Sequence, residues 1–267
     1  MMKWIKFNRL ERINLGIWAS IKSVLTEHQK QIHVINIYGS IMRTNSKFNQ
    51  NTIDIDKLLE YLHDLYKDDK CKGILLRINS PGRSAGISEE IARLILHLRT
   101  KQIYVVTSIE DICASGAYLI ASQSNYIFAN KMSLVGSIGV ILNIPNVTGL
   151  SKKIGVDFNT IKSGKMKDIG NMFREMTEEE KEYLQNIATK THKTFVSMVT
   201  LQRELKNVES MIDGKIVDTE MALQNNLIDA IGGKYDALDY LIKKMNTTSY
   251  NVIEYKQSVP LLKKLLG

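Results

Sequence analysis

The chain has 267 residues, 44% hydrophobic and 24% charged, a globular composition that excludes a disordered or fibrous protein. Its two cysteines, Cys71 and Cys113, exclude a disulfide framework and a four-thiolate metal centre. The net charge of +8 is spread along the chain without a DNA- or RNA-binding motif, so no nucleic-acid partner is expected.

Residues 1–30 place Leu10, Ile13, Ile17, Ile21 and Val24 on one helical face. Lys3, Lys6, Arg9, Arg12 and Lys22 interleave with Trp4, Phe7 and Trp18. This predicts a basic amphipathic helix, suited either to an anionic membrane surface or to packing on the main domain or a sister subunit. No segment reaches the roughly 18 uninterrupted apolar residues of a membrane span. The stretch 15–24 is broken by Ser20, Lys22 and Ser23 and has no signal-cleavage site. A cytoplasmic location, or a peripheral one at a membrane surface, is expected.

Residues 31–245 read as one α/β domain. A buried strand is predicted at 32–38, a helix at 55–65, and a second strand at 73–78 running into the turn Asn79-Ser80-Pro81-Gly82. A helix at 87–98 and a strand at 103–109 follow, then a helix starting near Ala114 and strands at 126–129 and 138–144. Strands alternating with helices at this pitch predict parallel βαβ units with right-handed crossovers. Thr177-Glu178-Glu179-Glu180 has the form of a capping box opening a helix through about Glu204. Residues 207–245 read as a small helical end region. Residues 246–267 read as a C-terminal tail, with an apolar, lysine-containing stretch at 259–266.

The five histidines, His28, His33, His63, His97 and His192, show no metal-ligand spacing and none neighbours a serine-bearing small-residue turn. Neither a metal site nor a Ser-His-Asp triad is expected, and no cofactor. Ser115, in Cys113-Ala114-Ser115-Gly116-Ala117-Tyr118, follows a strand and opens an apolar helix. Small neighbours admit a substrate backbone, and the helix start offers free N–H groups to an oxyanion. A nucleophile and a plain N-cap serine both fit. A base without histidine would be a lysine kept neutral by burial and like charges. Lys162, Lys165 and Lys167 crowd into one short segment where Asp168 works against neutrality; a solvated basic loop fits equally.

In this order, Ile78-Asn79-Ser80-Pro81-Gly82, Ala114-Ser115-Gly116, Val135-Gly136-Ser137-Ile138-Gly139-Val140, Lys162-Ser163-Gly164 and Lys167-Asp168 resemble the signal peptide peptidase A (protease IV) family. The likeness runs over residues 32–245. It extends to Arg174-Glu175-Met176-Thr177 and to Asn226-Leu227-Ile228-Asp229 ahead of Gly232-Gly233. The resemblance implies a Clp-protease/crotonase-like α/β fold of repeated ββα units with right-handed crossovers. It implies peptide substrates and a ring- or dome-shaped homo-oligomer. Ser115 takes the place of the nucleophile and Lys167 that of the general base, with the dyad formed within one subunit or between two. Ser137 matches a lysine-orienting hydroxyl, and Gly82, Arg83 and Gly116 match the oxyanion- and substrate-binding region. Lys162 and Lys165 match non-catalytic positions.

Three departures from the family pattern stand out. Arg83 replaces a usual glycine and is strained if that position needs positive φ. Ala117 replaces a second glycine, and the span of membrane-bound members is not seen. The expected activity is that of a Ser–Lys endopeptidase hydrolysing short, extended, mainly apolar peptides such as signal-peptide remnants through an acyl-enzyme. The alternatives are a non-catalytic peptide-binding member whose oxyanion region Arg83 blocks, and an acyl-CoA-processing crotonase relative.

Overall fold

The computed structural model describes residues 30–43 and 53–255; the expected N-terminal helix and the 259–266 stretch lie outside them. The chain begins β1 (Lys30–Tyr38), α1 (Ile55–Lys67), β2 (Cys71–Ser80), α2 (Ala85–Thr100) and β3 (Tyr104–Ala114). It continues α3 (Gly116–Ser122), β4 (Tyr126–Ala129), β5 (Leu134–Gly136), α4 (Thr148–Lys153) and α5 (Glu178–Thr200). It closes with α6 (Val208–Met211), β6 (Ile216–Asp218), α7 (Thr219–Gln224), β7 (Ala230–Ile231), α8 (Lys234–Met245) and β8 (Tyr250–Glu254).

The strands form one sheet in the order β6-β5-β3-β2-β1-β8, with β4 beside β3 and β7 beside β4. The expected α/β architecture is present: every pair is parallel except β5–β6. Central strands of such a sheet are covered on both faces, so their period-two alternation sorts residues between two apolar layers. Ile74, Leu76 and Ile78 of β2 join the larger core with the buried stripes of α1 and α2. Leu75 turns the other way, to meet Ala237 and Leu241 of α8.

One edge of β3 serves two partners, and this positions the site. Val106–Ile109 pair with β4, while Ile112–Ala114 pair with β5. Between them the Glu110 carbonyl accepts from the Ser133 hydroxyl and from Asn130 Nδ2, tying the 130–133 step to β3. β3 thus runs on past β4 and ends opposite Gly136.

Three expectations need amendment. Residues 138–144 form no strand: Ser137, at φ 53°, turns the chain out of β5, and Ile141 and Leu142 are 80% and 49% exposed with no strand beside them. The sheet also extends past residue 245, because β8 pairs with β1 and the Tyr255 amide donates to the Val34 carbonyl at 2.9 Å. In the 207–245 region the two- and three-residue strands β6 and β7 are too short to leave a periodic signal. The capping box forms as expected, Thr177 Oγ1 accepting from the Glu180 amide at 3.2 Å and Glu180 Oε2 from the Thr177 amide at 2.9 Å. Among the described residues no helix is long and apolar enough to cross a membrane.

Candidate active site

Because Ala114 and Gly136 are paired across β3 and β5, the next residue of each strand, Ser115 and Ser137, emerges on the same rim of the sheet. Ser115 sits at φ 53°, ψ −126°, as the residue before α3, and its amide donates to the Gly136 carbonyl at 2.8 Å. A non-glycine residue in this conformation is strained, and a sharp strand-to-helix turn of this kind lifts a serine hydroxyl clear of the sheet. The hydroxyl makes no capping bond to the helix and lines a cleft. Of the two readings open for Ser115, the capping serine is therefore the one the geometry disfavours. Two residues back, burial holds the Cys113 thiol protonated far above its ordinary range, so it offers no competing thiolate.

The second wall is the 79–83 turn. Asn79 donates from Nδ2 to Asp111 at 2.8 Å and accepts from the Ile112 amide at 3.3 Å, across an irregularity in the β2–β3 ladder. The Gly82 amide donates to Ser80 Oγ at 3.1 Å, and Gly82 itself takes φ 81°. A Cβ on Gly82 would lie 2.6 Å from the Gly116 nitrogen and 2.7 Å from the Ala114 carbonyl oxygen, so the turn is pressed onto the Ser115–Gly116 junction. Arg83 has φ 140°, so position 83 does require positive φ. The arginine is pinned there by bonds on either side, Ile41 to Gly82 at 2.9 Å and Ser84 to Ile41 at 3.1 Å. Neither the Arg83 amide nor the Gly116 amide donates a hydrogen bond among the described residues. Backbone amides left unengaged in this way are the kind of donor that can stabilise a tetrahedral oxyanion.

The cleft, of about 1360 Å³, brings together Gly82, Arg83, Ser115, Gly116 and Ser137. Leu119, Val140, Phe195 and Met198 give it an apolar wall. His192 of α5 lines it too, with Nε2 3.2 Å from the Ile138 carbonyl oxygen. No local spacing in the sequence marked His192, because a long helix carries it in from far along the chain.

Lys167 is the expected site residue that does not line this cleft; it lies exposed on the 162–168 loop. Its neighbours there are engaged. Lys162 Nζ donates to Asp168 Oδ1 at 2.5 Å, and Lys165 pairs with Glu179. Arg174 forks between Asp168, reached from Nε at 2.7 Å and Nη2 at 2.8 Å, and Glu180, reached from Nη1 at 2.8 Å. The hydrogen bonds from Arg174 and then Lys162 drive the Asp168 carboxyl far below the ordinary carboxylate range. Arg174 and the Thr177 amide hold Glu180 down to about 2. Asp168 therefore faces these cations rather than Lys167, which has no ion pair among the described residues.

Comparison with known proteins adds the context. The profile of Peptidase family S49 matches residues 97–248. A protein named "Putative protease" in Methanocaldococcus jannaschii is 41% identical over 221 residues, 82% of this chain and 71% of that one. The "Putative signal peptide peptidase SppA" of Enterococcus faecium is 35% identical over 231 residues, covering 85% of this chain and 67% of its own. The chloroplastic serine protease SPPA of Arabidopsis thaliana is 32% identical over 228 residues, 83% of this chain and 33% of that one.

Proposed function

Since the chain belongs to peptidase family S49 and is a peptidase, we propose that it is a serine endopeptidase with Ser115 as nucleophile and Lys167 of an adjoining subunit as general base. The observation that carries this reading is the Ser115 turn, whose hydroxyl makes no capping bond and stands beside two amides that have no other partner among the described residues. The exposed Lys167 loop supports a base supplied across a subunit boundary, and an apolar surface on the same segment supports an assembly. Ile141, Ile154 and Ile161 there are 80%, 65% and 100% exposed.

In the proposed cycle the neutral lysine amine takes the Ser115 proton as Oγ bonds to the peptide carbonyl carbon. The oxyanion accepts from the Arg83 and Gly116 amides, each such donor contributing about 100- to 1,000-fold in rate. The C–N bond then breaks, and the lysine ammonium returns its proton to the leaving amine. Water, deprotonated by the same lysine, attacks the acyl ester and releases the acid with Ser115 restored. Ser137, on the rim beside Ser115, orients the amine. The apolar wall of Leu119, Val140, Phe195 and Met198 favours extended apolar peptides such as signal-peptide remnants.

The test is peptide turnover and fluorophosphonate labelling of Ser115→Ala, Lys167→Ala and their mixture. Each variant alone is expected inactive, and mixed assemblies regain part of the activity because a neighbour supplies the missing partner. Full activity in either single variant overturns the dyad. Peptide binding without turnover or labelling in the wild type supports a non-catalytic member instead. His192→Ala is expected to retain most of the turnover; its complete loss, with Lys167→Ala active, makes the histidine the base.

A further inference from the structure

A lysine serves as a base only while no anion holds its proton, and Lys167 is followed directly by an aspartate. The carboxylates of its own loop, of the 174–177 turn and of the first turn of α5 are engaged elsewhere, whereas Glu182 one turn further along α5 and Asp157 before the loop have no ion pair among the described residues. On its own loop Asp168 receives three hydrogen bonds, one from Lys162 and two from the Arg174 guanidinium. On the first turn of α5, Glu178 pairs with Lys181 at 2.7 Å and Glu179 with Lys165. Glu180 is bound by Arg174 and the Thr177 amide, and Glu175 accepts from Asn146 Nδ2 at 2.8 Å. Lys167 alone of the three loop lysines has no ion pair among the described residues. Asp168 and Glu180 are 10% and 4% exposed, so the Arg174 fork is shielded from solvent where it grips them.

We propose that Arg174, assisted by Lys162, is a positioning residue that sequesters the Asp168 carboxylate and so leaves the Lys167 amine without an anionic partner. Arg174 touches neither substrate nor the reacting atoms; it acts through Asp168. The inference rests on the reading of Lys167 as the base. Without the fork, the Asp168 carboxylate is released to accept from the ammonium of the adjoining residue, and an opposite charge within about 4–6 Å favours the protonated amine by about 1–3 pH units. The second half of the fork, on Glu180, ties this latch to the start of α5 and fixes the height of the loop.

The experiment is the pH profile of kcat/KM for the assembled wild type, Arg174→Ala, Asp168→Asn and the double variant. Arg174→Ala is expected to move the acid limb about 1–3 pH units upward, lowering the rate at neutral pH by about 10-fold or more and recovering it in alkali. Asp168→Asn, which leaves no carboxylate to capture the amine, holds the limb at its wild-type position. The double variant brings the limb back from where Arg174→Ala put it. A rate lost evenly at all pH values by Arg174→Ala, or a double variant that does not recover, overturns the proposal.

If Arg174→Ala does not fold, Lys162→Met on the loop surface carries the test, with a smaller shift in the same direction; no shift overturns the proposal. Lys167→Ala in the same series separates the two claims. Activity with an unmoved limb in that variant removes the lysine as base. An inactive Lys167→Ala beside an unmoved limb in Arg174→Ala removes the sequestration alone.

Discussion

Arg83, Ser115 and Ser137 hold φ values of 140°, 53° and 53° around one cleft. Non-glycine residues in such regions cost of order 1–3 kcal/mol each. At Ser115 the strain lifts the hydroxyl proposed as nucleophile, and at Ser137 it turns the chain away from β5, so both have a use. The Arg83 side chain has no such use in shaping the backbone. Arg83→Gly is therefore expected to raise stability by about 1 kcal/mol, the relieved strain exceeding the added chain entropy of glycine. A thermal melt reads this as a higher Tm, and an unchanged or lower Tm shows that the arginine side chain contributes contacts worth as much as the strain. Of the residues on this cleft, Ser115 was legible from its own surroundings, between a strand and an apolar helix, whereas Gly82, Arg83, Gly116 and Ser137 entered only through the family resemblance; in the structure all five lie just past strand ends, which parallel strands bring to one rim. His192 was not legible: its place on the cleft wall depends on how α5 packs, which no local pattern encodes.

At the scale of elements, capping chemistry was readable, and so was the four-residue β4, while the two- and three-residue strands β5, β6 and β7 were not. Thr177 and Glu180 announce the start of α5 because reciprocal bonds between a cap and the third helical residue need only local sequence. The same Glu180 makes this helix start sensitive to acid. Its folded-state pKa lies at about 2, and that of Asp168 lies below the ordinary range, against roughly 4.3 and 3.9 in an unfolded chain. Between those limits the unfolded state binds more protons, so the stabilisation is fully present above about pH 4.3 and is lost as pH falls toward 2. Hydrogen exchange corrected for intrinsic rates is expected to show the amides of Lys167 and Glu180 losing protection between about pH 4 and 2, from the unfolded carboxylate range down to the folded one, ahead of the β2 core. Equal protection at both pH values, or early loss of β2, contradicts the local latch.

The misread segment carries the lesson at the scale of the whole molecule. Residues 138–144 have the apolar run of a buried strand, yet Ile141 and Leu142 lie 80% and 49% exposed. Exposure continues through Leu150, Ile154, Phe158 and Ile161 at 59%, 65%, 49% and 100%, with Phe158 stacked on Phe173 at 3.8 Å. An interface between copies and the interior of one copy demand the same residue types, so a single sequence does not distinguish them. Burying one such isoleucine contributes about 1.5–3 kcal/mol, whereas a glutamate in its place brings a charge that an apolar interface cannot solvate. Ile161→Glu is therefore expected to leave each subunit folded, since the side chain touches little of its own chain, and to dissociate the assembly. Under the proposed dyad between subunits, activity falls with assembly because Lys167 then reaches no neighbouring Ser115. Light scattering across a dilution series should show smaller species for Ile161→Glu, with turnover lost in parallel and the circular dichroism spectrum unchanged. At +8 per chain, copies in the proposed assembly repel one another, so added salt should tighten association of the wild type. An Ile161→Glu variant that stays fully active as a monomer would place base and nucleophile in one subunit.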